Sequence, residues 1–210
     1  MRTTFTMLIL CTMALVTAAA SVLAAPSDAQ IRDFLAKIQD KDPSVRCQAW
    51  QSAGPMGARV VIPLGELMAS SDPGIAKAAR EALKVVAHHS ARPGAEAERK
   101  AVSQALCKLL SKQYPARTRA DAAHLLGLVG KAEAVGPLAA CLSDPAIRED
   151  ARMALERIPG SASQKALAQA MAKADPQLKK ALQQSIQHRS TTRKLIGTGK
   201  WPETSGGERR

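Results

Sequence analysis

Residues 42–57 read Asp-Pro-Ser-Val-Arg-Cys-Gln-Ala-Trp-Gln-Ser-Ala-Gly-Pro-Met-Gly. Within them Arg46, Ala49, Gly54 and Gly57 keep a spacing that returns 73 positions later as Arg119, Ala122, Gly127 and Gly130. The opening pair Asp42-Pro43 also returns, as Asp72-Pro73, Asp144-Pro145 and Asp175-Pro176. Each pair introduces alanine-rich sequence with apolar residues at helical spacing. Self-similarity at a fixed period is the mark of a helical repeat array, in which each unit is one supersecondary element.

The individual helices follow from the apolar period. Ile31, Phe34, Leu35 and Ile38 stand at i, i+3, i+4 and i+7, which predicts a helix over 27–39 capped by Ser27 or Asp28. A short helix over 43–53 places Pro43 in its first turn, where a missing N–H costs nothing. Gly54 to Gly57 breaks it, and 58–70 resumes with Val60, Leu64, Leu67 and Met68 on one face, regular only from Ile62 or Pro63. The pattern continues over 73–89, 95–113, 116–129, 131–142, 145–158, 162–174 and 176–188. Val, Ile and Thr nowhere alternate in strand-like runs. Alanine is the best helix former and lets helices approach closely. The predicted fold is all-α: a right-handed α-solenoid of about four to five stacked helical hairpins, each of about 30 residues.

The residues that carry these echoes resemble a known family. Asp42-Pro43-Ser44-Val45-Arg46-Cys47-Gln48-Ala49 and Asp144-Pro145-Ala146-Ile147-Arg148-Glu149-Asp150-Ala151 are similar to the opening of HEAT-like repeats, in the short bacterial form first described in phycobilin lyases. The glycine turn stands at Leu126-Gly127-Leu128-Val129-Gly130. The start of the second helix stands at Val61-Ile62-Pro63-Leu64 and Val135-Gly136-Pro137-Leu138. The resemblance covers residues 28–188. The chain departs from it at Asp72-Pro73, where Ala76 replaces the arginine, and at Tyr114-Pro115, where the Asp-Pro is lost. In such repeats the arginine bonds to neighbouring turns. The resemblance therefore implies a structural ladder of Arg46, Arg119 and Arg148, and a binding face lined by the second helix of each hairpin.

The ends differ from this body. Arg2, the apolar run Phe5 to Val16 and the small residues of Val22-Leu23-Ala24 have the layout of a secretory signal. Residues 1–24 are expected to be removed near Ala24, leaving a periplasmic or secreted protein with no transmembrane span; retention as an anchor is the alternative. Residues 25–189 form the expected solenoid. Residues 190–210, rich in Gly, Ser, Thr and charge with Trp201 as the one large aromatic, read as a disordered basic tail.

The formal net charge is +12. A surplus of that size steers acidic partners toward the chain. The body holds only Phe34, Trp50 and Tyr114 as aromatics, so it lacks the stacking platforms that single-stranded nucleic acid uses. The basic residues, among them Arg32, Arg80, Arg99, Arg117, Arg152 and Lys179, are scattered as on a solvated face. Cys47, Cys107 and Cys141 lie among apolar helical neighbours and read as buried thiols, with one disulfide as the alternative.

Catalytic signatures do not emerge. No phosphate loop, dinucleotide fingerprint or nucleophile elbow occurs. His88, His89, His124 and His188 form no zinc-ligand pattern, and His88-His89 read as a cationic helix end. No catalytic residue, cofactor or metal is expected. The reading is a non-catalytic scaffold that binds another protein along the inner face. Arg59 and Glu66 on one second helix, with Lys165, Gln169 and Lys173 at i, i+4 and i+8 on another, are the candidate contacts. A lyase-like carrier of a small ligand and a binder of an anionic polymer or membrane surface stay open as alternatives.

Overall fold

The computed structural model describes residues 25–198, with side chains up to Ser190. Ten α-helices and no strand occur among the described residues. Helix α1 spans Asp28–Ile38, α2 Pro43–Gln51, α3 Val61–Leu67, α4 Pro73–Ser90 and α5 Glu96–Lys108. Helix α6 spans Ala116–Val129, α7 Ala132–Cys141, α8 Arg148–Arg157, α9 Ser161–Ala170 and α10 Pro176–Thr198.

Their starts have local chemical causes. Ser27 caps α1 in a reciprocal capping box with Gln30. The Asp42 carboxylate accepts the Ser44 N–H at 2.8 Å, and that of Asp72 accepts Gly74 N–H at 2.7 Å and Ile75 N–H at 3.1 Å. In both cases proline occupies the first helical position. Asp175 opens α10 in the same way, accepting the Leu178 N–H at 2.8 Å.

The helices assemble into two layers. The first helices of successive hairpins, α2, α4, α6, α8 and then α10, pack on one another in order. The second helices α3, α5, α7 and α9 form the other layer, again each on the next. Helix α1 lies against the first hairpin. One continuous apolar core runs between the layers, with Leu64, Leu83, Leu106, Leu126, Leu155 and Leu182 fully buried along it. Gly127 lets α6 and α8 approach closely: a Cβ there would lie 3.0 Å from the Ala154 Cα, tighter than ordinary contact, so the backbone of α8 would have to shift. The architecture is thus an all-helical α-solenoid.

Four local expectations need correction. The chain over 58–60, expected to resume the helix, belongs to a 3-10 stretch over Gly54–Val60 that is kinked at Gly57, where φ is 62; α3 begins at Val61 and ends at Leu67 rather than at residue 70. Helix α8 begins at Arg148, not Pro145. The Asp144 carboxylate still accepts the Ala146 N–H at 3.0 Å, but Ile147 takes φ −140 and buries its side chain, so burial overrides continuation of the local helix. The helix expected over 162–174 stops at Ala170 and tightens into a 3-10 turn over Met171–Lys173. The last helix runs on to Thr198, past the expected end at residue 188. The leader over 1–24 and Trp201 lie outside the described residues.

Candidate interaction surface

Most arginines of the described residues are engaged inside the stack. Arg46 donates to the carbonyls of Asp40, at 2.6 Å, and Lys41, at 3.1 Å. Its guanidinium also lies against the next Asp-Pro turn, where a Cβ on Gly74 would meet Arg46 Nη2 at 2.5 Å. Arg119 donates to the Leu110 carbonyl at 3.0 Å and pairs with Asp144. Arg148 pairs with Asp175 at 2.6 Å. These three arginines therefore sit on the Asp-Pro edge, and each reaches the turn of the following unit.

A second set ties helix to helix. Arg80 of α4 pairs with Asp121 of α6 at 2.7 Å. Arg99 of α5 donates to the Val129 carbonyl at 2.7 Å and to Glu133 at 2.8 Å. Arg152 of α8 donates to Ser185 of α10 at 2.5 Å, and Ser185 donates to Glu156 at 2.6 Å. The side chains of Arg80, Arg99 and Arg152 keep 17%, 13% and 16% of their surface, which corrects the reading of these residues as part of a solvated face. Arg189 donates to the carbonyls of Leu155, Glu156, Ile158 and Gly160, satisfying the carbonyl end of α8.

The carboxylates respond to these cations. Burial opposes the charged form of Glu133, but hydrogen bonds from Arg99 and from backbone N–H groups outweigh it and hold its pKa at about 2. The Arg119 guanidinium holds Asp144 below the usual range. Asp175 is lowered by the Leu178 N–H and then by Arg148.

The candidate contact residues fall in different places. Arg59 belongs to the 3-10 turn ahead of α3, donates to the Pro26 carbonyl at 2.7 Å and pairs with Asp28, so it fastens α1 to the stack. Glu66 is exposed on α3, and Arg59 therefore does not share its helix. Lys165 and Gln169 are exposed on α9, and Lys173 is exposed in the 3-10 turn that follows. None of these three makes an ion pair among the described residues.

Sequence reasoning overlooked a matching row on α5. Lys100, Gln104 and Lys108 repeat the Lys-x-x-x-Gln-x-x-x-Lys spacing of residues 165–173, and all are exposed and without an ion pair among the described residues. The signal was readable as a pattern; only the apolar stripe of that helix had been weighed. Helix α7 packs between α5 and α9, and its outward row is Ala132, Gly136 and Ala140.

No cluster of His, Cys, Asp and Glu suited to a metal ion occurs among the described residues. His88 and His89 close the last turn of α4, and His124 and His188 contact Arg157 and Glu156. Cys47, Cys107 and Cys141 are free thiols, Cys141 buried and the others half-buried. Burial pushes the Cys107 thiol up to about 11 and raises that of Cys141. No helix among the described residues is long and apolar enough to cross a membrane.

Residues 103–187, from the second half of α5 to the middle of α10, match the family model for HEAT repeats. No curated protein matches the chain. Among solved structures, an engineered protein from the Northeast Structural Genomics Consortium aligns with TM-score 0.42 and 20% identity, over 78% of this chain and 80% of that one. A designed armadillo repeat protein, solved in complex with the peptide (KR)4, aligns with TM-score 0.42 and 15% identity, over 79% of this chain and 87% of its own. The stacked hairpins make the chain a helical repeat protein, and its residues 103–187 are similar to HEAT repeats.

Proposed function

We propose that this protein is a non-catalytic scaffold that binds another protein along the layer of second helices, α3, α5, α7 and α9. The observation that carries the reading is a division of labour between cations. The arginines are largely consumed by contacts between units, whereas Lys100, Lys108, Lys165 and Lys173 face outward from the second helices unpaired among the described residues. A row of side chains that contributes little to the stack is available to a partner. Exposed ion pairs would in any case add little stability. The reading includes export, which rests on the layout of residues 1–24 alone.

The test is site-specific photo-crosslinking in the native envelope fraction. A crosslinking residue placed at Gln104 or Gln169 should yield discrete protein adducts, whereas one at Lys77 or Gln183, on the first-helix layer, should not. Equal yields from both layers, or none from Gln104 and Gln169, would contradict the assignment of the face. A chromophore or other small molecule retained through purification would replace the scaffold with a ligand carrier.

A further inference from the structure

Resting on that reading of the face, we propose the chemistry of its occupant: an acidic amphipathic helix of a partner protein, laid along α7 between two basic rows. Lys100-Gln104-Lys108 on α5 and Lys165-Gln169-Lys173 on and just beyond α9 are the same pattern in the two units that flank the unit of α7. Both helices run from the loop edge toward the Asp-Pro edge, so the rows are parallel. Adjacent packed helices lie about 8–10 Å apart, which puts the rows about 16–20 Å from each other across α7. An α-helix with its side chains is about 10–12 Å wide, so one fits between the rows and reaches both.

The floor suits the same occupant. Ala132, Gly136 and Ala140 stand at i, i+4 and i+8 along α7, all exposed, with the same spacing as the residues of the two walls. Gly136 has open space where a Cβ would be. A residue that carries a Cβ resists the helical conformation before proline, yet Ile62 occupies the equivalent place before Pro63 in α3, so the repeat does not require glycine there. A floor of Cβ-sized or smaller groups lets an incoming backbone approach closely.

Charge selects the partner. Among the described residues the one carboxylate on α7 itself, Glu133, is taken up by Arg99 at 2.8 Å. Glu96 stands at the loop end of α5 and Glu66 on α3, outside the stretch between the rows. Glu96 stands one turn before Lys100 on α5, yet none of the four lysines makes an ion pair among the described residues. Lys100 and Lys108 stand eight residues apart on α5, about 12 Å along its axis, which matches carboxylates at i and i+8 on the occupant. The face carries no aromatic side chain, which favours a protein helix over single-stranded nucleic acid.

The experiment uses the whole protein and a fluorescein-labelled peptide of about 20 residues, built from Glu, Ala and Leu so that Leu forms one helical face. Anisotropy titrations compare wild type with two fourfold charge reversals of equal net charge. Reversal of Lys100, Lys108, Lys165 and Lys173 to Glu should weaken binding at least about tenfold. Reversal of Lys77, Arg117, Lys179 and Lys180 to Glu, on the first-helix layer, should change it by less than about threefold. Gly136→Leu, which leaves every charge in place, should melt within a few degrees of wild type and still weaken binding about tenfold. Equal losses in the two charge-reversed proteins, unchanged binding in Gly136→Leu, or equally tight binding of oligo-dT would each overturn the proposal. If the peptide fails while Gln104 and Gln169 still crosslink a native protein, the acidic-helix assignment falls and the scaffold reading stands. If those positions crosslink nothing, the scaffold reading itself falls.

Discussion

Arg119 of α6 and Asp144, at the turn that opens the next unit, form an ion pair whose side chains keep only 7% and 12% of their surface exposed. The same guanidinium satisfies the Leu110 carbonyl at 3.0 Å. Removing it strands a buried carbonyl and a carboxylate together. Arg119→Ala should therefore lower the unfolding free energy by about 3 kcal/mol. Arg148→Ala should cost less, because the Asp175 side chain is 44% exposed and keeps its bond from the Leu178 N–H. Urea unfolding followed by circular dichroism at 222 nm checks both.

Acid should loosen the stack over a defined window. Glu133 has its pKa held at about 2 in the folded chain. An unfolded glutamate protonates near about 4.3. The folded value is depressed, so its stabilisation is fully present above the unfolded value and is lost as pH falls from there toward the folded one. Asp144, Asp175 and Glu156 shift in the same direction. The melting temperature should hold steady above about pH 5 and fall steeply below about pH 4. Arg99→Gln should flatten that fall, since Glu133 would lose its first partner.

The sequence made some of this legible and hid the rest. Apolar spacing is local, so Ile31, Phe34 and Ile38, or Ala151, Leu155 and Ile158, announce their helix faces and are buried as expected. The Asp-Pro starts are local too, except where the burial of Ile147 displaced one. The links made by Arg80, Arg99 and Arg152 could not be read, because their partners lie 41, 34 and 33 residues away and are ordinary polar residues until the stack brings them together. The bonds from Arg59 to Pro26 and Asp28 could not be read for the same reason, since those partners precede it by a whole hairpin's worth of chain. The Lys-Gln row on α5 was written in the sequence at the same spacing as the one on α9. What folding adds is α7 between them.

Two glycines should behave oppositely. A Cβ at Gly127 would meet the backbone of Ala154 at 3.0 Å, so Gly127→Val must push α6 and α8 apart. A loss of about 2 kcal/mol or more is expected. Gly136 has nothing within 4 Å of the added atom. Gly136→Ala should be neutral or stabilise by up to about 1 kcal/mol, the gain being trimmed by the proline that follows. Thermal melts of the pair decide this.

The thiols offer a further check. With its thiol pushed up to about 11 by burial, Cys107 should be almost wholly protonated at pH 8. Mass spectrometry after iodoacetamide treatment should find Cys107 and Cys141 slow to alkylate in the folded protein and fast in urea. Rapid labelling of Cys107 in the native state would contradict its packing.

The account depends on hairpins that hold their fold only by sheltering one another, and helix α8 carries its own control. Leu155 is fully buried in the core, while Met153, two residues away on the same helix, is 41% exposed. The direct measurement is a thermal melt of Leu155→Asp beside Met153→Asp. The stack predicts wild-type melting for Met153→Asp and collapse of the cooperative transition for Leu155→Asp, since a charge in that core has no partner. Two superimposable melts would show that the units do not rely on their neighbours, and the solenoid account would be contradicted.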